Sequence, residues 1–279
     1  LGDDNAEQHF AKSCNLADIM MLDMKKNNSF DIDILKKAAR QLIEAYSKVL
    51  SDTSGKNRGR LAIDIFQLER FITQDRVKYF SEAGQDKYID ILLKEKRNGV
   101  FIDVGGYNGW RNSNTLFFEI FRGWNGLLIE PVKITYDEAK KIRNCKCLNV
   151  CVDSFEGTRN FIEIKKGYTQ MSGILENIEE NVLENIRKHN DHEEKVYKIK
   201  TKTLENILLD NNISQIDYMS IDIEGSEKNI LDTFPFDKFN VNVWSIENNS
   251  NNENIKELMT LNNYKFVEFI GVDEIWIKN

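Results

Sequence analysis

No run of roughly 18 or more apolar residues interrupts this chain, so nothing in it reads as a membrane span. Positive charge is also in short supply. The 38 lysines and arginines are outnumbered by 45 aspartates and glutamates, for a net charge of −7, which argues against a broad nucleic-acid-binding surface. Cysteines number four; Cys14 stands alone, while Cys145, Cys147 and Cys151 crowd into NCKCLNVCVD. A structural zinc site needs a second half-site of comparable spacing, and none exists, so free thiols in a reducing cytosol are expected. The opening LGDDNAEQHF has no basic region followed by an apolar run, so the expectation is a cytoplasmic protein with no retained signal peptide. Internal repeats are missing as well.

What is present suffices for a folded core. Of 279 residues, 41% are hydrophobic and 30% charged, enough for one large domain with an extension. Residues 1–78 read as a helical extension or cap. In DIDILKKAARQLIEAYSKVL, apolar side chains recur at helical spacing, SDTSGKNRGR breaks the pattern, and LAIDIFQLERFITQD suggests a second helix. These helices carry no catalytic motif and suit packing or homo-oligomerisation.

From residue 79 to 279 the pattern alternates. GQDKYIDILLKEK, NTLFFEIFRG and YDEAKKIRN read as helices between the strands GVFIDVG, WNGLLIEP and CLNVCVD. NFIEIKKGYTQMSGI adds extended segments and LENIEENVLENIRKHNDHEEK a charged helical insert. TLENILLDNN, IDYMSIDIEG, SEKNILDTF and VNVWSIENN resume the alternation, and a last helix precedes a pair of short strands around Gly271. Strands separated by helices in this order predict an α/β fold with a mostly parallel sheet covered on both faces.

The turn after the first strand is the chemical signal. VFIDVGGYNGW places Asp103, Gly105 and Gly109 in the spacing D-x-G-x-x-x-G, whereas a dinucleotide turn would need glycine where Tyr107 stands. On this reading the glycines let the backbone approach a methionine-bearing nucleotide closely. Glu130 ends the next strand in LLIEP, suited to accept from ribose hydroxyls, and Asp153 follows the third, suited to an adenine amino group.

With those landmarks in order, the chain from about Phe80 onward resembles the FkbM family of S-adenosylmethionine-dependent methyltransferases. SEAGQDKYI, GVFIDVGGYNGWRNSNTLFFE, GWNGLLIEP, CVDSFEG, KTKTLENIL, IDYMSIDIEGSEKNIL, VWSIENN and GVDEIWIKN carry the likeness, with IDIEGSE its most distinctive part. The resemblance implies a Rossmann-like class I methyltransferase fold with an antiparallel closing strand. It also implies S-adenosylmethionine as cofactor, held by Gln85, Asp103, Gly105, Gly109, Ser113, Asn114, Glu130, Asp153 and Asp222. The acceptor it implies is a sugar hydroxyl of a glycan, nucleotide-sugar or glycosylated metabolite. Ser113 and Asn114 are equally suited to cap the helix that follows.

Asp222, Glu224 and Glu227 in SIDIEGSE, with Glu247 in SIENN, bring carboxylates to neighbouring strand ends. Like charges so placed raise one another's pKa and call for a shared proton, a sugar hydroxyl network or a cation. Asp222, Glu224 and Glu247 are therefore the candidate catalytic residues, with Asp222 or Glu224 as base; alternatively Asp222 and Glu247 hold Mg²⁺. Glu227 also suits a helix N-terminus. His189 and His192 share a face if the insert is helical there, and read as exposed lid residues or, alternatively, metal ligands or a base. Tyr107, Trp110 and Tyr168 read as packing aromatics or, alternatively, as rings that stack on a sugar or adenine. The competing class is a non-catalytic binding module in a glycan-assembly complex, or a methyltransferase for a non-sugar small molecule.

Overall fold

The computed structural model describes residues 32–72, 79–249 and 253–279, so His9 and Cys14 lie outside the described residues. The chain divides into two compact units, 1–77 and 78–279. In the first, α1 (Ile32–Leu50) and α2 (Gly55–Ile72) pack together. Ala39 and Tyr46 of α1 are buried, as are Leu61 and Phe66 of α2, the inward stripes of two amphipathic helices.

The second unit is built on a seven-stranded sheet. Its parallel strands are β1 (Val100–Val104), β2 (Asn125–Ile129), β3 (Lys146–Leu148), β8 (Gln215–Ile221) and β9 (Asn240–Glu247). Two further strands, β10 (Tyr264–Ile270) and β11 (Asp273–Lys278), complete the spatial order β10-β11-β9-β8-β1-β2-β3. β11 runs antiparallel to both its neighbours. The helices α3 (Gln85–Leu92), α4 (Leu116–Arg122), α5 (Lys133–Ile142), α7 (Leu204–Asp210), α8 (Glu227–Thr233) and α9 (Glu253–Leu261) alternate with these strands. The central strands are buried almost throughout, as expected where helices cover both faces: Ile102, Met219, Ile221, Val241, Trp244 and Ile246 form one core. Each such side chain contributes roughly 1.5–3 kcal/mol on burial. β2 lies on one side of β1 and β8 on the other. That reversal of strand order opens a crevice at the carboxyl ends, where ligands bind in such sheets.

A second sheet departs from the sequence reading. CLNVCVD, expected as one strand, splits into β3 and β4 (Cys151–Val152), and β4 joins β5 (Gly157–Lys166), β6 (Gly173–Ile174) and β7 (Glu193–Lys202) in a separate four-stranded sheet of order β4-β7-β5-β6. The charged insert is helical over a short 3-10 turn (Leu175–Asn177) and α6 (Glu180–Arg187), and the chain then turns into the ten-residue strand β7 (Glu193–Lys202). Period-2 alternation was there, with Ile199 half-buried, Thr201 buried and Lys198 and Lys200 exposed. Flanking charge hid it. β7 pairs antiparallel with β5 (Gly157–Lys166), which also pairs with β6 (Gly173–Ile174). β5 uses both faces: Phe161 packs with Val132, Cys151 and Ile174, while Ile162 and Ile164 pack on Ile186 of α6. No described helix is long and apolar enough to cross a membrane.

Candidate active site

The carboxyl ends of β1, β2, β8 and β9 deliver Asp103, Glu130, Asp222 and Glu247 to one cavity of about 490 Å³. Gly105, Ser113, Asn114 and Glu224 also line it, and so does the β5–β6 segment Thr169–Ile174 of the second sheet. The cavity therefore lies between the main sheet and the inserted one, a wall that the sequence reading did not contain.

The glycine turn is shaped by the protein's own packing. Gly105 has φ +86°, and a Cβ there would meet the Asp222 carbonyl oxygen at 1.7 Å. Asp222 N–H in turn donates to the Val104 carbonyl at 3.0 Å, so β1 and the end of β8 touch backbone to backbone. Gly109, with φ +80°, would drive a Cβ to 2.9 Å from Ala139 Cβ and Arg143 Cγ of the α5 region. Both glycines are needed for close approach, but within the fold: Gly109 does not line the cavity, contrary to the expectation that a bound nucleotide sets the spacing.

Behind the turn lies Arg143, its side chain fully buried. Its guanidinium donates to Glu119 Oε2 at 2.8 Å, Thr115 Oγ1 at 2.9 Å, the Gly109 carbonyl at 3.2 Å and Ser113 Oγ at 3.3 Å. Thr115 Oγ1 donates to Asp103 Oδ2 at 2.6 Å, and Arg143 Nη1 stands 3.8 Å from the same oxygen. Burial pushes the Asp103 carboxyl up, and the guanidinium and Thr115 hydrogen bond oppose it. Sequence reading missed Arg143, because one arginine at a helix end has no motif around it.

The other expected cofactor residues divide. Glu130 is buried, and its Oε1 accepts from Val132 N–H at 2.8 Å and Thr135 Oγ1 at 3.0 Å; burial raises its pKa to about 7. Asn114 lines the cavity and donates from Nδ2 to Ser220 Oγ at 3.0 Å. Ser113 also lines it, and its Oγ accepts from Leu116 N–H at 3.2 Å, holding the start of α4. Asp153 and Gln85 lie outside the cavity lining. Asp153 is bound to Arg159 Nε at 2.6 Å, and Gln85 Nε2 donates to Asp273 Oδ2 at 3.2 Å. Asp273, absent from the sequence reading, also accepts from Ser245 Oγ at 2.7 Å, and burial followed by the nearby Asp222 charge raises it to about 7.

At the far wall, Asp222, Glu224 and Glu247 bring one carboxylate oxygen each within 4.8 Å of one another. Asp222 is raised to about 7, first by burial and then by the Glu227 charge, against a hydrogen bond with Glu247. Burial and the Asp222 charge hold Glu224 and Glu247 well above the usual carboxylate range. Glu224 has φ +58°, a left-handed backbone unusual for a side chain of this size, which marks a constrained loop. Glu227 explains the constraint: its carboxylate accepts from Ile223 N–H at 2.9 Å and from Gly225 N–H at 3.0 Å, so it pins the loop.

Other expectations fall away from the site. His189 and His192 follow the end of α6, so they share no helix face, and neither lines the cavity. His189 meets the exposed Tyr168 ring edge-on, and His192 Nε2 lies 2.7 Å from Glu194 Oε2. Trp110 is exposed, while Tyr107 joins its hydroxyl to Thr169 Oγ1 at 2.7 Å, tying the glycine turn to the second sheet.

A seven-stranded α/β sheet with acids at four strand ends around a glycine turn defines a Rossmann-like fold of the methyltransferase class. The Methyltransferase FkbM domain model matches residues 103–268, more than half of the chain, and the chain belongs to that family. It is an S-adenosylmethionine-dependent methyltransferase. Two solved structures align with it at 10% identity. A TehB-like SAM-dependent methyltransferase from Corynebacterium glutamicum ATCC 13032 Kitasato covers 78% of this chain and 98% of its own, with TM-score 0.40. Methyltransferase FkbM from Methylobacillus flagellatus KT covers 85% of this chain and 59% of its own, with TM-score 0.44. No curated protein matches the chain.

The donor set suits the cofactor. Val132, Cys151, Phe161 and Ile174 present an apolar surface fit for a flat base, while Glu130, Asp103 and Asn114 supply polar atoms.

Proposed function

We propose that the protein methylates a hydroxyl on a sugar, in a glycan, nucleotide-sugar or glycosylated metabolite. The observation that carries this reading is the group Asp222, Glu224 and Glu247, gathered at the carboxyl edge with Asp222 raised to about 7 by burial and the Glu227 charge. A sugar hydroxyl is a poor nucleophile until its proton is taken, and a base works best when its pKa lies near the working pH. Bound S-adenosylmethionine supplies an electrophilic methyl group; Glu130 would hold its ribose and Asp103, Gly105 and Asn114 its amino-acid end. Asp222 would accept the hydroxyl proton and become neutral, and Glu224 and Glu247 would orient the acceptor through hydrogen bonds. The spacing of these three oxygens favours a second reading, in which Asp222 and Glu247 hold a divalent cation such as Mg²⁺, an ion of oxygen-ligand preference.

Asp222→Asn should keep S-adenosylhomocysteine affinity in calorimetry within about twofold while abolishing transfer of the labelled methyl group. Unchanged turnover would remove Asp222 from the base role. Glu130→Ala should weaken cofactor binding by roughly 1–3 kcal/mol, the scale of lost charge-assisted hydrogen bonds. Treatment with a chelator separates the two readings: retained activity supports the carboxylate base, and loss restored by Mg²⁺ supports the cation.

A further inference from the structure

A second cavity, of about 430 Å³, adjoins the first and shares Met171, Glu224, Glu247 and Asn249 with it. Glu224 and Glu247 thus stand where the two chambers meet, and Asp222 lines the first alone. One chamber has the glycine turn and Glu130. The other is bounded by α6 of the insert, the Glu224–Ser226 loop with the first residues of α8, and the start of α9. Asn177 Nδ2 donates to Ser226 Oγ at 2.7 Å, which fastens the insert to that loop and keeps the second chamber formed.

Its lining has a definite chemistry. Ile178, Val182 and Ile186 contribute apolar surface to the lining, and Asn181, Glu179 and Glu224 contribute hydrogen-bonding groups. Amide and carboxyl side chains together with an apolar surface suit a polyhydroxylated ring, which has an apolar face and a rim of hydroxyls. An anionic ligand finds nothing complementary. Lys228 is the cation in the lining, and its ammonium is engaged by Asp232. The N-terminal turn of α6, which could otherwise attract a phosphate, already carries Glu179 and Glu180.

We propose that this second cavity is the acceptor subsite and that it admits an uncharged or amine-bearing glycoside while rejecting a phosphorylated one. This rests on the sugar-methylation reading above and narrows it, since nucleotide-sugars are then excluded as acceptors. Glu179 and Asn181 at the start of α6 become specificity-determining residues, at a distance from the cofactor chamber that they do not line.

The test uses the full chain with labelled S-adenosylmethionine and three matched probe sets: methyl glycosides of neutral hexoses, their 2-amino counterparts, and the same sugars as uridine diphosphate esters. Transfer is expected to the neutral or amino set, with the diphosphates at least about tenfold poorer in kcat/KM. Asn181→Trp, at an exposed helix position, should raise the acceptor KM about tenfold while the cofactor KM and the affinity for S-adenosylhomocysteine stay within about twofold. Glu179→Lys should narrow the gap between neutral and diphosphate probes. Equal or better transfer to the diphosphates, or an acceptor KM indifferent to Asn181→Trp, overturns the subsite and leaves sugar methylation standing. Transfer to none of the three sets, with S-adenosylhomocysteine still bound, defeats the sugar reading itself and the subsite with it.

Discussion

Arg143 shows how one residue organises the cofactor side. Its buried guanidinium touches Glu119, Thr115, Ser113 and the Gly109 carbonyl, so a single cation holds the turn that Asp103 begins. Arg143→Met removes the cation and leaves Asp103 and Glu119 buried with no opposite charge. Breaking a buried pair in this way costs about 3–5 kcal/mol. Chemical denaturation of the variant should show that loss, and calorimetry should show weakened cofactor binding; Arg143→Lys should recover part of both. Stability within experimental error of the parent would mean that the acids are solvated by other means.

At the scale of elements, the inserted sheet is what turns an open crevice into chambers. Thr169–Ile174 wall the first cavity and residues of α6 wall the second. The Tyr107–Thr169 hydrogen bond supplies a tether. Tyr107→Phe removes only that bond, a net loss of about 0.5–1.5 kcal/mol. Hydrogen exchange should then quicken around Thr169–Met171 while amides of β1 and β8 keep their protection, because local opening follows local contacts. Equal acceleration in both places would show that the insert and the main sheet open as one unit.

On the scale of the whole molecule, the site carries a stability penalty that depends on pH. Glu130, Asp222 and Asp273 are each raised to about 7, all chiefly by burial. Between the ordinary carboxylate range and about pH 7 the folded protein therefore binds more protons than the unfolded chain, so stability falls as pH rises through that window. The unfolding temperature should drop between about pH 5 and pH 8. Glu247→Gln removes a carboxyl that burial and the Asp222 charge hold well above its usual range, so it should flatten the slope and raise Tm at the alkaline end. For a domain of this size, each kcal/mol gained corresponds to about 2–4 °C. A parallel downward shift at all pH values would indicate that the Glu247 carboxylate is stabilising.

Much of this protein is determined locally and was legible in its sequence. VFIDVGG, LLIEP and IDYMSIDIEG are buried parallel strands because apolar runs between helices have no other stable placement, and their terminal acids follow from strand polarity. Tertiary structure decided the rest. Asp153 and Asp103 look alike as strand-end acids, but Arg159 pairs with the first whereas the second reaches the cavity. Gly105 and Gly109 look alike as glycines of one turn, but Gly105 lines the cavity whereas Gly109 makes room for Ala139 and Arg143. β7 was hidden because its pairing with β5, 27 to 44 positions away, outweighs its charged local pattern. Strand periodicity and turn sterics act between near neighbours, so sequence reveals them; the partner of a buried charge and the wall of a cavity come from distant segments, and only folding brings those together.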